Sequence, residues 1–239
     1  MSIRVEHIGD AVLYLGDARE ILSGLGKFDA IVTDPPYGIA FAHGGNDRSG
    51  IGKGKYATAF AHVSIVGDDV PFDPSALLAL SDTLIIWGAN HFADKLPASS
   101  EWLIWDKRAA SHHTNDFADC EMAWSSSSGV ARVFRHQWDG MMRASERGIP
   151  RVHPTQKPVE LMKWCVLRTA GTVLDPFMGS GSTGVACAQL GRPFVGIEIE
   201  PAYFEAACER IAEAYRQPRL FEEPAAKPQQ LELIGGDPC

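Results

Sequence analysis

The chain has 239 residues, of which 45% are hydrophobic and 22% charged, and its formal net charge is −8 with a pI near 5.5. These values suit one large globular domain, and they disfavour a protein that binds nucleic acid through net positive charge alone. Local basic patches remain compatible with this balance. No apolar run reaches the length of a membrane-spanning helix.

The five cysteines are odd in number and include no Cys-x-x-Cys pair, and no signal peptide is recognisable. This pattern predicts reduced thiols and a cytoplasmic location. The adjacent His112 and His113 have no partner cysteine or histidine at ligand spacing, so we expect no metal site.

The first predicted elements are a short strand at residues 12–15 and a helix at residues 18–25, with Asp17 between them as a candidate helix cap. A second apolar run, residues 28–33, predicts a buried strand. In open α/β sheets, ligands bind beyond the carboxyl ends of such strands. The residues that follow this second strand are therefore candidates for a binding site.

Those residues are Asp34-Pro35-Pro36-Tyr37. The prolines fix the backbone in an extended turn and remove two N–H donors. The Asp34 carboxylate and the Pro35 carbonyl thus form an acceptor-only site beside the Tyr37 ring. Such a site suits a planar group that carries an exocyclic NH2. The alternative is a simple turn after a strand, since Asp and Pro are common in turns.

The middle of the chain contains one long segment without apolar periodicity, residues 38–69, which is typical of a mobile lid or a flexible insertion. The remaining pattern predicts a helix at 75–80, strands at 83–87 and 102–105, a hairpin formed by 121–124 and 130–134, and a short basic loop at 137–152.

A second acid-ended strand comes much later. Residues 173–174 lead into Asp175 and then into a glycine-rich turn that opens a helix reaching Leu190. No lysine follows these glycines, so the turn is not a phosphate loop. The next strand, residues 193–197, ends at Glu198, where an acid is placed to hold ribose hydroxyls. Together these features predict a nucleoside cofactor without a required pyrophosphate.

Two further helices are predicted at residues 158–169 and 201–216. The Pro-, Glu- and Gln-rich residues 217–239 predict a disordered tail. Residues 1–216 then form a single domain.

Three motifs in order carry a resemblance: Asp34-Pro35-Pro36-Tyr37, His153-Pro154-Thr155-Gln156-Lys157-Pro158, and Asp175-Pro176-Phe177-Met178-Gly179-Ser180-Gly181. This order is similar to that of the β group of S-adenosylmethionine-dependent amino DNA methyltransferases, the N-4/N-6 DNA methylase family. The match runs from about residue 12 to about residue 211. The pieces that resemble compact phage-type members are Trp87-Gly88-Ala89-Asn90, Trp105-Asp106-Lys107 and Trp138-Asp139-Gly140.

The resemblance implies an α/β fold with a doubly wound mixed sheet, the Rossmann-like methyltransferase fold, circularly permuted so that the catalytic half precedes the cofactor half. It implies methyl transfer from S-adenosylmethionine to the exocyclic amine of a base flipped out of double-stranded DNA. An Asp at the first motif position favours N6 of adenine, with N4 of cytosine as the alternative. The motifs also leave open an RNA or protein amide methyltransferase and a catalytically silent DNA-binding module.

In the resembling family, the segment before the His-Pro-Thr-Gln-Lys-Pro motif carries target recognition, which here corresponds to residues 137–152. Such proteins often act in restriction-modification. Members also often dimerise, so a homodimer is a possible assembly. No membrane association is expected.

The resemblance also implies the site residues. Asp17 is expected to contact the cofactor adenine amine, Phe177 to pack against the adenine, Glu198 to hold the ribose, and Thr155 and Lys157 to meet the methionine part. The predicted catalytic residues are Asp34, Pro35, Pro36 and Tyr37. The predicted cofactor-binding residues are Asp17, Ala18, Asp34, Thr155, Gln156, Lys157, Asp175, Pro176, Phe177, Gly179, Ser180, Gly181, Ser182, Thr183 and Glu198.

Overall fold

The structure is a computed structural model, which describes residues 3–38, 67–108, 118–139 and 142–217. Most of the predicted lid, the two adjacent histidines and residues 218–239 of the predicted tail lie outside the described residues. No helix within these described ranges is both long and apolar enough to cross a membrane.

The strands in chain order are β1 Arg4–Ile8, β2 Ala11–Leu15, β3 Ala30–Thr33, β4 Leu84–Trp87, β5 Trp102–Asp106, β6 Cys120–Ser125, β7 Arg132–Arg135, β8 Trp138–Asp139, β9 Met142–Arg143, β10 Val173–Asp175 and β11 Phe194–Glu198. The helices are α1 Ala18–Leu22, α2 Ser75–Leu80, α3 Val159–Val166, α4 Ser182–Leu190 and α5 Pro201–Arg216. Two short 3-10 turns, Ala89–His91 and Ala93–Lys95, follow β4.

One sheet organises the molecule, with the strand order β1-β2-β11-β10-β3-β4-β6-β5-β7. The five strands from β2 to β4 in this order are parallel, whereas β1 and β6 run antiparallel to their neighbours. Strand β4 lies on one side of β3, and the later strands β10 and β11 lie on the other side. The fold is therefore a doubly wound mixed α/β sheet with the catalytic-motif strand first, as predicted.

Helices cover both faces of the sheet because its central strands are apolar on both sides. In β3, Ala30 and Val32 pack in the cluster that contains α3, α4 and α5. Ile31 packs in the opposite cluster, which contains α1 and α2. The reversal of strand order falls between β3 and β10, and a crevice at the carboxyl ends of these strands is where such sheets bind ligands.

The hairpin predicted from residues 121–124 and 130–134 is wrong. These residues lie in β6 and β7, but β5 lies between the two strands. β6 pairs antiparallel with both β4 and β5, and β7 pairs in parallel with β5. A short polar connection indicates a hairpin only when its two strands have no better neighbour, and here the apolar β5 is that neighbour.

Candidate active site

The Asp-Pro-Pro-Tyr turn leaves the fully buried strand β3 at the centre of the sheet. The Tyr37 hydroxyl donates a hydrogen bond of 2.6 Å to Oδ1 of Asp34. The Tyr37 ring stacks on His91, with ring centroids 5.0 Å apart and planes at 16°. A Cβ at Gly88, where φ is +69°, would overlap the Tyr37 ring, so the ring can occupy this position because residue 88 is glycine.

A cavity of about 220 Å³ opens beside this ring. Its walls come from the turn after β4 and from the start of β6, and its lining residues are Tyr37, Gly88, Asn90, His91, Ala118, Cys120, Glu121 and Met122. We call it the Tyr37 cavity. It joins an aromatic surface to acceptor groups, which is the combination that a flipped base requires.

Lys157 lies at the centre of the charged groups in this site, with 8% of its side chain exposed. Its ammonium contacts Oδ2 of Asp34 and lies 3.0 Å from Oε2 of Glu121 and 3.4 Å from the Tyr37 hydroxyl. Burial would lower the pKa of Lys157, but the two carboxylates raise it well above its usual value. Burial raises the pKa of Asp34, an effect that the Lys157 ammonium opposes.

Glu121 is the site residue that sequence reasoning missed. It lies in β6, and its Oε1 accepts a hydrogen bond of 2.8 Å from Lys107. Burial would raise the pKa of Glu121, but the ammonium groups of Lys157 and Lys107 outweigh it and lower the pKa to about 2. No local motif marks this glutamate, because its partners come from two distant segments.

Asp175 connects the two predicted motifs. It ends β10, which pairs in parallel with β3, as expected for neighbouring strand ends. Its Oδ1 accepts a hydrogen bond of 2.7 Å from Thr33, and its Oδ2 accepts one of 2.6 Å from Thr183. Oδ1 also accepts from the Phe177 amide at 3.2 Å. Burial raises the pKa of Asp175 to about 6. Its carboxyl thus ties β3, the glycine turn and α4 together.

The glycine turn is positioned by Glu198 at the end of β11. Glu198 is 8% exposed, and its two carboxylate oxygens accept from the amides of Gly179 at 2.9 Å and Glu200 at 2.8 Å. Burial raises the pKa of Glu198. Gly181 has φ +77°, and a Cβ there would lie 2.9 Å from that of Ala207 in α5. Gly181 therefore permits close helix packing.

The His-Pro-Thr-Gln-Lys-Pro segment lies against this turn. A Cβ at Gly179 would lie 3.7 Å from the His153 ring. Nδ1 of His153 lies 3.2 Å from the Thr155 amide and 3.1 Å from its hydroxyl. Gln156 is buried and accepts from the Val152 amide at 3.2 Å. The Ser182 hydroxyl donates to the Lys157 carbonyl at 2.8 Å, which joins the segment to α4.

Asp17 lies at the same edge of the sheet. The Gly16 amide donates to the Glu198 carbonyl at 2.9 Å, which places the start of α1 beside the end of β11. Asp17 caps α1 by accepting from the Arg19 amide at 2.9 Å. Its pairing with the Arg19 guanidinium lowers the pKa of Asp17. Ala18 is buried, and the Phe177 ring meets Phe72 edge-on at 5.7 Å.

The predicted residues thus gather at the carboxyl ends of β2, β11, β10 and β3. Residues 102–209 match the family model described as DNA methylase. The matched residues make up less than half of the chain. The DNA methylase match includes Glu121, Lys157, Asp175 and Glu198, whereas the Asp-Pro-Pro-Tyr turn precedes it.

Among curated proteins, the chain is similar to the Type II methyltransferase M2.DpnII of Streptococcus pneumoniae. The two are 31% identical over 120 residues, which cover 47% of this chain and 42% of that relative. The similarity therefore spans less than half the length of that methyltransferase.

Two solved structures resemble the fold more completely. The crystal structure of the M1.HpyAVI–SAM complex is 26% identical with a TM-score of 0.50, and the alignment covers 84% of this chain and 99% of that one. The PvuII DNA methyltransferase, described as cytosine-N4-specific, is 15% identical with a TM-score of 0.54, covering 87% and 92% of the two chains. The second likeness concerns the fold alone.

Proposed function

We propose that the protein is a DNA methyltransferase that transfers a methyl group from S-adenosylmethionine to N6 of adenine in double-stranded DNA, after the target base has flipped out of the helix. One observation carries the proposal. The acceptor-only Asp34 turn lies beside the glycine turn of β10, and the hydrogen bond between Thr33 and Asp175 holds the two together. A base bound at the first turn would therefore meet a methyl donor bound at the second.

The residues at the ends of β2, β10 and β11 fit S-adenosylmethionine. Glu198 offers a carboxylate that two backbone amides hold in place, and this suits the ribose hydroxyls. Phe177 offers a ring for the adenine, and Asp17 an acceptor for its amine. Gly179 leaves space for the methionine part, next to Thr155. When bound, S-adenosylmethionine supplies an electrophilic methyl group on sulfur.

The protein's part in the reaction is positioning and electrostatics. The Tyr37 ring stacks on the flipped base in the Tyr37 cavity. Asp34 and the carbonyl of Pro35, which Pro36 follows, accept hydrogen bonds from the two N–H groups of the amine, and this orients the nitrogen lone pair. As nitrogen gains the methyl group it becomes cationic, and the negative charge of Asp34 stabilises it. The nitrogen then loses its proton, for which Asp34 is the adjoining acceptor.

Adenine is the proposed base because an Asp at the first position of the turn resembles the adenine-specific pattern. The acceptor geometry alone also permits cytosine N4, since both bases present an NH2 beside a ring nitrogen. Residues 137–152 are proposed to contact DNA, and here the structure has the paired strands β8 and β9. A homodimer remains a prediction.

The test is methylation of unmethylated genomic DNA with S-adenosylmethionine. The protein is compared with Asp34→Ala, and with Asp94→Ala as the matched control, because Asp94 is an exposed acid in the turn after β4. Modified bases are identified by mass spectrometry. We expect N6-methyladenine from the unaltered protein and from Asp94→Ala, and none from Asp34→Ala.

Two contrary outcomes would each change the assignment. N4-methylcytosine would keep the mechanism and replace the base. An absence of methylated DNA from a protein that still binds S-adenosylmethionine in calorimetry would overturn the DNA assignment, and RNA would be the next substrate to test.

A further inference from the structure

Glu121 joins the active site from a strand that carries none of the three motifs. Its neighbours in the sheet fix its position, since β6 lies between β4 and β5 and residue 121 pairs with Trp105 of β5. The Gly88 amide donates to the carbonyl of Met122 at 2.9 Å, which brings this end of β6 to the turn after β4. The Glu121 side chain is 27% exposed and faces the Tyr37 cavity.

The carboxylate of Glu121 and that of Asp34 share one ammonium group. Lys157 contacts Oδ2 of Asp34, and its Nζ lies 3.0 Å from Oε2 of Glu121. That oxygen accepts no well-aligned hydrogen bond within the described residues, so the interaction with Lys157 is mainly that of two charges. The other oxygen, Oε1, is held by Lys107.

Because Glu121 also contacts the Lys157 ammonium, Asp34 keeps more of its own negative charge. An ammonium that faces a single carboxylate neutralises it, and the oxygen then accepts a weaker hydrogen bond from any third group. A second carboxylate draws the positive charge partly away. Two carboxylates and two ammonium groups balance, so the cluster carries no net charge while Asp34 retains its acceptor strength.

We propose that Glu121 is a positioning residue: it shares the Lys157 ammonium with Asp34, so that Asp34 keeps enough negative charge to accept the hydrogen bond of the substrate amine. The effect of Glu121 on methyl transfer rests on the proposed function. Its effect on the charge of Asp34 does not. The titratable groups around Asp34 are Tyr37, Lys157, Glu121 and Asp175. Behind them, His91 stacks on Tyr37 and Lys107 pairs with Glu121.

The direction of the effect follows from charge. The negative charge of Glu121 raises the pKa of Asp34. In Glu121→Gln this repulsion disappears and Lys157 is left to Asp34 alone, so both changes lower the pKa of Asp34. If Glu121 only stabilised the fold, Glu121→Gln would lower the free energy of unfolding and leave kcat unaltered.

The first measurement is a carboxyl ¹³C NMR titration, with the Asp34 signal assigned through Asp34→Asn. We expect Glu121→Gln to lower the titration midpoint of Asp34 by about one pH unit or more. Glu121→Asp keeps the charge and should return the midpoint toward that of the unaltered protein. The matched control is Glu101→Gln, because Glu101 adjoins the opposite end of the same strand pair and its carboxylate accepts from Ser125 at 3.0 Å, a bond that an amide oxygen can also accept.

The second measurement is methyl transfer as a function of pH. We expect kcat of Glu121→Gln to fall about tenfold, with the acid limb at lower pH and the KM for S-adenosylmethionine within about threefold. An unchanged Asp34 midpoint in Glu121→Gln would overturn the inference, whatever the activity. If the midpoint moves and the unaltered protein methylates no base, the proposed function fails while the electrostatic role of Glu121 stands.

Discussion

The hydroxyl of Tyr37 donates a hydrogen bond to Oδ1 of Asp34, the oxygen that would accept a hydrogen bond from the substrate amine. Oδ2 of the same carboxylate is engaged by Lys157. An entering base therefore competes with the Tyr37 hydroxyl for this oxygen, while the ring of that tyrosine has to remain as the stacking surface. The hydroxyl and the ring of one residue thus have opposing effects on base binding.

The first prediction separates the effect of the Tyr37 hydroxyl from that of the Tyr37 ring. Tyr37→Phe keeps the ring and frees Oδ1, so we expect kcat/KM for DNA within about threefold of the unaltered protein. Tyr37→Ala removes the stacking, which is worth roughly 1–3 kcal/mol per base or about 5- to 150-fold in kcat/KM. Steady-state kinetics on one DNA substrate compares the two. A Phe variant as impaired as the Ala variant would show that the hydroxyl itself is needed.

A second prediction concerns Gly88. In Gly88→Ala the new methyl group overlaps the Tyr37 ring and must displace it. We expect at least about a tenfold loss of methyl transfer. The affinity for S-adenosylmethionine should be unchanged, because the residues proposed to bind it lie mainly at the ends of β2, β10 and β11.

The control for Gly88→Ala must separate backbone strain from the loss of ring position. Gly191 also has a positive φ, +68°, and it ends α4 far from Tyr37. Gly191→Ala should cost about 1 kcal/mol of stability and leave the turnover rate unchanged. Equal losses of activity in the two variants would contradict the role assigned to Gly88.

The buried Asp175 predicts how stability depends on pH. Its pKa rises from 3.8 to about 6 on folding, so between these values the folded state binds more protons than the unfolded state. The contribution of Asp175 to the free energy of unfolding therefore falls as the pH rises through this window, by about 3 kcal/mol in all. Asp175→Asn does not titrate, so the unfolding free energy of this variant minus that of the unaltered protein should increase between about pH 4 and pH 6. Urea unfolding at several pH values measures the difference, and a constant difference would contradict the prediction.

A fourth prediction concerns the contribution of Glu198 to cofactor affinity. Glu198→Gln removes a charged acceptor, and hydrogen bonds to charged groups are worth about 1.5–3 kcal/mol. We expect the Kd for S-adenosylhomocysteine to rise roughly 10- to 150-fold in isothermal titration calorimetry. Glu213→Gln, at an exposed glutamate paired with Arg216 on α5, is the matched control and should leave the Kd unchanged. A rise of the same size in both variants would point to a general loss of folding.

Much of the fold follows from local pattern. The central strands are apolar runs that end in an acid, and the helix Pro201–Arg216 is predictable because a proline opens it and its apolar positions recur at helical spacing. Strand β1 escapes prediction, because its five residues are mostly exposed and carry charges at a sheet edge. The sequence also wrongly predicts that β6 and β7 pair with each other. Strand order depends on contacts between residues that are distant in the chain, and no short stretch of sequence contains them.

The site is predictable where one motif carries its own geometry. Asp34 and Tyr37 interact within a single turn, and Glu198 is placed by the strand that it ends. The contact between Lys157 and Glu121 cannot be read from the sequence, because the two residues are 36 positions apart and meet only after β6 has entered the sheet. The sharing of one ammonium by two carboxylates is a tertiary property.

The pairing of β3 with β10 also governs when the site can exist. Thr33 and Asp175 are 142 positions apart in the chain, yet they share a hydrogen bond at the centre of the sheet. When a ribosome has released only the first half of the chain, the Asp34 turn is present but strand β10 with Asp175 is not. The part of the site formed by Asp175 and Glu198 therefore assembles late in synthesis, once β10 and β11 have paired with β3 and β2. An incomplete chain would thus carry the Asp34 turn without the hydrogen bond between Thr33 and Asp175 that positions it.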